Sequence, residues 1–285
     1  MAESPLRAVG RVVGETAAAT RQLMRDHAYA DPVNLDARRA LWTYTVEVDP
    51  PDEPGGRVRA VLALRGSEVV VDVGCGNGHD LAPLADSGHQ GPLVGLDLAL
   101  GMVSEIHPAR VHRVQGDAMA LPVAAASADV VCAFHMLYHV FDIDTALGEV
   151  RRILKPGGTF VCSTNSSEPN EIVEVWSAAF SAVLGRPVEV IRSAEARFNL
   201  EDAPALLERR FSSVRLRTRK SRVEVPDADV VVAYVQSVRS AYESLLPSAE
   251  AWDEAMMWLR RRVEAEIRER GFFEVHATSG IFACV

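Results

Sequence analysis

Hydrophobic and polar positions change their spacing twice along this chain, and the changes divide it into three parts. Between residues 68 and about 166, short apolar runs of strand length alternate with stretches of helical spacing. The runs cover residues 69–73, 93–97, 111–115, 129–134 and 159–163. Continuous β-favouring runs are what a parallel sheet covered on both faces requires. Strands alternating with helices predict such a sheet, with ligands at the carboxyl ends of its strands near the switch point.

The flanks read differently. Residues 1–68 are predicted helical. Residues 16–27 are Ala-rich, Ala30-Asp31-Pro32 ends them, and Asn34 is placed to cap a second helix through Leu35, Ala37, Ala40, Leu41 and Trp42. Residues 50–56 read as a loop, and Val58, Val61, Leu62 and Leu64 as one side of a short helix. Beyond Asn165, helices are predicted over 167–200, 202–210, 228–246 and 248–270. Strand character returns over 211–225 and 271–285, the last as a strand pair or one bent strand.

Composition narrows the partners. The chain has 285 residues, 48% apolar and 24% charged, with a formal charge of −9. Nucleic-acid affinity is dominated by Lys and Arg on phosphates, so the acidic balance disfavours nucleic acid and anionic membrane surfaces. Small neutral or cationic substrates fit it better. Cys75, Cys132, Cys162 and Cys284 show no C-x-x-C spacing, and three of them sit in apolar runs. No secretory signal or membrane span is read from the sequence, and a reduced, cytoplasmic location is expected.

The run 69–73 enters Gly74-Cys75-Gly76-Asn77-Gly78, with Asp72 just ahead of it. A dinucleotide turn, G-x-G-x-x-G, fails in both registers, because its third position falls on His79 or Leu81. A P-loop fails for want of the second glycine and the lysine. Alternating glycines leave a strand-to-helix turn of bare backbone. The segment resembles the D-x-G-x-G-x-G loop of the class I S-adenosylmethionine (SAM)-dependent methyltransferases. Further signals over 69–165 extend the resemblance. They are Asp97-Leu98 at the second strand end, Gly116-Asp117-Ala118 after the third, 134–140 after the fourth, and Leu154-Lys155-Pro156-Gly157-Gly158 before the fifth.

The resemblance, to the small-molecule, type 11-like branch, implies a Rossmann-like α/β fold. Its sheet would be mostly parallel and seven-stranded. Residues 1–68 would form a helical lid, 69–166 the SAM-binding core, and 167–285 the rest of the sheet (about 211–225 and 271–285) with helical lid insertions. Asp72, Gly74, Gly76 and Gly78 would approach the methionine part of SAM. Asp97 would accept the ribose hydroxyls, Leu98 pack on adenine, and Asp117 and Ala118 read the adenine edge. Phe134 would offer its carbonyl, and Tyr29 or Arg38 would meet the SAM carboxylate.

His135 and His139 are four residues apart, so one helical turn would align them. Either is a candidate general base, with Tyr138 orienting the acceptor. Met136 stands where H-E-x-x-H needs its Glu, so no metal is expected. Arg215, Arg217 and Arg219 alternate along 211–225, with Lys220 and Arg222 nearby. They read first as a solvated sheet edge protected by charge, with a phosphate or acidic partner as the alternative. Trp42, Phe180, Phe198, Tyr234, Tyr242, Met256, Met257 and Trp258 are candidate pocket or core residues.

The expected activity is methyl transfer from SAM to a small aromatic or specialised-metabolite acceptor, on O, N or C, with S-adenosylhomocysteine as product. A homodimer is compatible with it. The alternatives are a catalytically inactive SAM-binding regulatory or scaffold protein, an RNA methyltransferase and a dinucleotide oxidoreductase.

Overall fold

A computed structural model describes residues 6–9, 21–22, 24–49, 62–107, 110–191 and 197–285. Its strands are β1 (Leu6–Val9), β2 (Thr45–Asp49), β3 (Val70–Val73), β4 (Leu93–Asp97), β5 (Val111–Gln115) and β6 (Ala128–Phe134). β7 (Leu154–Asn165), β8 (Val188–Ile191), β9 (Val214–Val225) and β10 (Phe273–Cys284) follow. The α-helices are α1 (Val33–Trp42), α2 (Ala82–Asp86), α3 (Leu100–Ser104), α4 (Ile143–Ile153), α5 (Glu171–Leu184), α6 (Ala203–Leu207), α7 (Ala228–Gln236), α8 (Arg239–Tyr242) and α9 (Ala249–Arg270).

Eight strands form the main sheet in the order β2-β9-β10-β7-β6-β3-β4-β5. The five predicted core strands are present and parallel to one another, with β3 between β4 and β6. That position, where the order reverses, is the switch point at which a crevice opens. β10 runs antiparallel between β7 and β9 as one strand of 12 residues. The predicted seven strands gain an eighth, β2, which pairs with β9 from the outside. β2 comes from the segment expected to be helical. Its Glu47 and Asp49 charge the exposed edge, which blunts it against further pairing.

Other local departures have physical causes. α1 begins at Val33, and the side chain that takes its first N–H is Asp31 (Val33 N to Asp31 Oδ1, 2.9 Å), not Asn34. The helix predicted over 228–246 breaks after Gln236. There the Ser237 hydroxyl turns back to the Tyr234 carbonyl (2.6 Å), and Arg38 Nη1 donates to the Ser237 carbonyl (3.2 Å). Residues 167–200 give α5 and then β8, which pairs with β1. α9 starts where expected, with Ser248 accepting from the Ala251 N–H at 3.2 Å. The expected loop over 50–56, most of the short helix after it, and most of the helix over 16–27 lie outside the described residues.

Three apolar clusters hold these layers. Two flank the parallel strands, and the third lies under α5, α7 and α9. In that third cluster Trp176 meets Tyr242 edge-on at 4.5 Å between ring centroids, and Phe180 meets Trp252 at 5.7 Å. The Trp252 N–H donates to Gln236 Oε1 at 2.8 Å, so its one polar atom is satisfied. The late helices therefore have a core of their own. Leu41, fully buried, ties α1 into it.

Leu41→Ala should remove about 2–5 kcal/mol of stability, the usual range for deleting a buried leucine side chain. Urea unfolding checks this. Wild-type stability in that variant would mean that α1 docks through its polar contacts alone.

Candidate active site

The site begins at the end of β3. The chain must turn sharply over β4, and Gly74, Gly76 and Gly78 do so with φ of +69°, +56° and +80°. Side chains with a Cβ rarely adopt such angles. The Gly74 and Cys75 N–H groups both donate to the Leu96 carbonyl, at 2.7 and 3.1 Å. The Gly76 N–H donates to Asp97 Oδ2 and the Ala99 N–H to Asp97 Oδ1, each at 2.9 Å. Asp97 is thus anchored by two backbone donors, while each oxygen keeps acceptor capacity. Burial pushes its carboxyl above the usual range, and those N–H groups oppose the shift.

The glycines are needed for packing as well. A Cβ on Gly74 would lie 2.7 Å from Met136 Cγ, and one on Gly78 would lie 2.9 Å from Ile106 Cγ2. The bare backbone expected to face a ligand is at Gly74 partly covered by Met136. Asp72 is buried at the end of β3. Asp117, after β5, accepts from the Met119 N–H at 2.9 Å and forms an ion pair with Arg21.

Around this turn lies a cavity of about 810 Å³. It is lined by Gly74, Gly76, Asp97, Leu98, Asp117, Ala118, Phe134, His135, Tyr138, His139 and Tyr29, which are most of the predicted site residues. Asp72 and Gly78 are not in its wall. Trp42 and Tyr234 line the cavity, as considered from sequence. Phe180, Phe198, Tyr242 and Met256 belong to the buried core, and Met257 is exposed.

The two histidines differ. His135 follows β6 with φ of +50°, a left-handed conformation uncommon outside glycine, and its N–H donates to the Ser163 carbonyl at 3.1 Å. His139 lies in a short 3₁₀ turn, Leu137–His139. Its Nε2 is 2.8 Å from the Tyr29 hydroxyl, and its ring meets those of Tyr29 and Tyr138 edge-on. Burial, with a smaller contribution from the Arg38 charge, lowers its pKa to about 3. His139 is therefore neutral at physiological pH and a weak base, with its Nε2 held by Tyr29. Burial raises the Tyr29 phenol above its ordinary value, with Arg38 opposing. The Arg38 guanidinium lies 4.8 Å from the Tyr29 ring centroid, and its Nη2 is buried in the same region without a hydrogen bond.

Arg217 and Arg219 correct the reading of β9 as a solvated edge. β2 pairs with β9 only over residues 220–223, and beyond that pairing both arginines line the cavity. The alternation along 211–225 does not show whether the charged face meets solvent or a cavity. All four cysteines are free and buried, and burial pushes the thiols of Cys132 and Cys162 well up and that of Cys284 to about 12. Among the described residues no group of His, Cys, Asp or Glu is gathered to hold a metal ion, and no helix is long and apolar enough to cross a membrane.

Comparison with known proteins agrees with this geometry. Residues 71–162 match the family model described as a methyltransferase domain. The matched residues span the glycine turn, β4, β5 and β6 and most of β7, the part of the chain that is similar to methyltransferase domains. Malonyl-[acyl-carrier protein] O-methyltransferase of Methylovorus sp. is 37% identical over 117 residues, 37% of this chain and 40% of that protein. Demethylmenaquinone methyltransferase of Lactococcus lactis is 38% identical over 106 residues, 34% of this chain and 42% of the relative. These methyltransferases are thus matched over about two-fifths of their length. A longer match, 28% identical over 206 residues, covers 64% of this chain and 75% of a candidate SAM-dependent methyltransferase of Mycolicibacterium smegmatis. Among solved structures, a candidate methyltransferase from an antibiotic biosynthesis pathway of Anabaena variabilis superposes with a TM-score of 0.58. It is 16% identical, and the match covers 80% of this chain and 95% of that one. At that identity the likeness shows the fold.

The depressed pKa of His139 has a sign that can be checked. The unfolded chain binds the proton near pH 6.5 and the folded one near 3, so the unfolded state gains protons first as pH falls. The neutral ring's contribution is fully present above 6.5 and is lost progressively towards 3. Between pH 7 and 5, the urea midpoint should fall more in the wild type than in His139→Asn. Parallel curves would contradict the buried, neutral assignment.

Proposed function

We propose that this protein transfers the methyl group of SAM to a small-molecule acceptor bound in the 810 Å³ cavity. The observation that carries the reading is the Asp97 carboxylate. It is fixed by two backbone N–H groups at the end of β4, beside the glycine turn, with acceptor capacity remaining on the cavity side. Such a carboxylate fits a ribose diol, because ionised oxygens accept two hydroxyl protons at once. The turn after β3, Leu98 and the Asp117-Ala118 corner fit the remainder of an adenosine. Arg38, with a guanidinium nitrogen that lacks a hydrogen bond, fits the cofactor's carboxylate.

When bound, SAM supplies a methyl on a sulfonium, which is already an activated leaving group. The chain's own residues then have to align an acceptor and exclude water. Proximity of this kind contributes a large part of a methyl transfer barrier's lowering. Met136 and Leu98 supply apolar cover, and the Tyr29–His139 pair braces the wall. His135, at the end of β6 and on the cavity wall, is the better placed of the two histidines to take a proton from an oxygen or nitrogen nucleophile. We assign His139 a positioning role.

The acceptor is proposed to be a small aromatic or specialised metabolite, by the size and partly apolar lining of the cavity. The net charge of −9 supports this over RNA.

Asp97→Ala should weaken S-adenosylhomocysteine binding by about 1.5–3 kcal/mol, the worth of hydrogen bonds to a charged group. Calorimetric titration of the variant, with its fold checked by circular dichroism, measures this. Unchanged affinity would refute the ribose assignment. His135→Ala should lower turnover of labelled SAM with an accepted substrate while leaving cofactor affinity intact, and equal turnover would return His135 to a structural role.

A further inference from the structure

Both oxygens of the Asp117 carboxylate are already in use. The corner after β5 closes on itself: the Ala120 N–H donates to the Asp117 carbonyl and the Met119 N–H to Oδ1, each at 2.9 Å. The Gly116 N–H donates to the Asp97 carbonyl, also at 2.9 Å, which ties this corner to the residue proposed to hold the ribose. Oδ2 accepts from Nε of Arg21, 96 residues away in sequence. Arg21, Asp117, Ala118 and Met119 all border the cavity, so the guanidinium stands on the wall formed by the corner it pairs with.

A guanidinium and the amine edge of adenine are chemically alike. Each is planar and offers N–H donors in its plane, and a carboxylate fixed in a turn accepts from either. Oδ1 is bonded within its own turn, so an adenine amine read by this corner needs Oδ2, the oxygen that Arg21 takes. A cation at that oxygen also opposes the partly positive hydrogens of an incoming amine.

We infer that Arg21 is an internal competitor for the adenine seat: its guanidinium and the cofactor's base take the Asp117 carboxylate in turn. This rests on the methyltransferase reading of the same cavity and assigns that site a residue that sets cofactor affinity. The pair is weak enough to yield. Its side chains are 42% and 21% exposed, and an ion pair so open to solvent favours its closed form by a factor of at most about five. When only the open fraction accepts adenine, the apparent affinity is lowered about two- to sixfold. Arg21 also stays close once displaced. Met24, three residues on, is buried in the core of the helical layer, and Tyr29 is bonded to His139 at 2.8 Å. A side chain tethered in this way re-pairs as soon as the base leaves.

The test titrates the full-length protein calorimetrically with S-adenosylhomocysteine and, separately, with S-inosylhomocysteine, whose base carries a carbonyl where adenine carries the amine. Arg21→Gln should bind S-adenosylhomocysteine about two- to sixfold more tightly than the wild type and gain nothing for S-inosylhomocysteine. A merely structural role of Arg21 would move both ligands alike. Raising NaCl from about 50 to about 500 mM screens the pair, so it should tighten S-adenosylhomocysteine binding in the wild type relative to Arg21→Gln. Circular dichroism checks the fold of the variant, and Arg21→Ala decides if Arg21→Gln misfolds. Weaker or unchanged binding of S-adenosylhomocysteine in the variant, an equal gain for both ligands, or the same salt response in both proteins would each overturn the inference. Those results leave the proposed function standing. Failure of S-adenosylhomocysteine to bind wild type and variant alike would instead overturn the reading on which this one rests.

Discussion

The turn at the end of β3 is the constraint on which the site depends. The backbone there reverses over β4, and the Gly74 and Cys75 N–H groups converge on one carbonyl, that of Leu96, while the Gly76 N–H takes the Asp97 carboxylate. Three glycines at positive φ allow it. The same hydrogen bonds fix Asp97, and Met136 packs against Gly74 beside them. A side chain at Gly74 would meet both strained backbone and Met136. Fold and site are joined at this corner, so the local rule that forces glycine also positions the carboxylate.

The helical layer has a different status from a loose cover. Trp176, Phe180, Tyr242 and Trp252 give α5, α7 and α9 a core independent of the parallel strands. Leu41 extends that core to α1, which carries Arg38, and Met24 to the short π-helical turn Met24–Ala28, just before Tyr29. Polar contacts then complete the join. Arg38 reaches the carbonyl at the break after α7, and Tyr29 reaches His139 on the core. The wall of the cavity is thus held from two hydrophobic cores at once. Changes deep in the helical layer should be felt at Tyr29 and Arg38.

How much of this was legible from sequence follows the range of the interactions. The five core strands and the glycine turn were readable because period and turn chemistry are local: 93–97 and 111–115 match their strands end to end. Most of the cavity-wall residues were readable because they directly follow those strands. β2 was not, since Thr45-Val46-Glu47-Val48-Asp49 is a half-exposed edge whose strand state exists only by pairing with β9. The place of Arg217 and Arg219 in the cavity wall is not legible either, because an alternating charged strand reads the same whether its charged face meets solvent or a cavity. The neutral state of His139 comes from burial by Tyr29, 110 residues away in sequence, and no i, i+4 spacing could reveal it.

The central claim is that the cavity around the β3 turn is where the cofactor binds. Backbone hydrogen–deuterium exchange with and without S-adenosylhomocysteine tests it most directly, with NAD as the control. S-adenosylhomocysteine, and not NAD, should add protection at 74–79, 97–99 and 116–119 and over the wall segment 24–42. Protection confined to other surfaces, or equal protection by NAD, would contradict it.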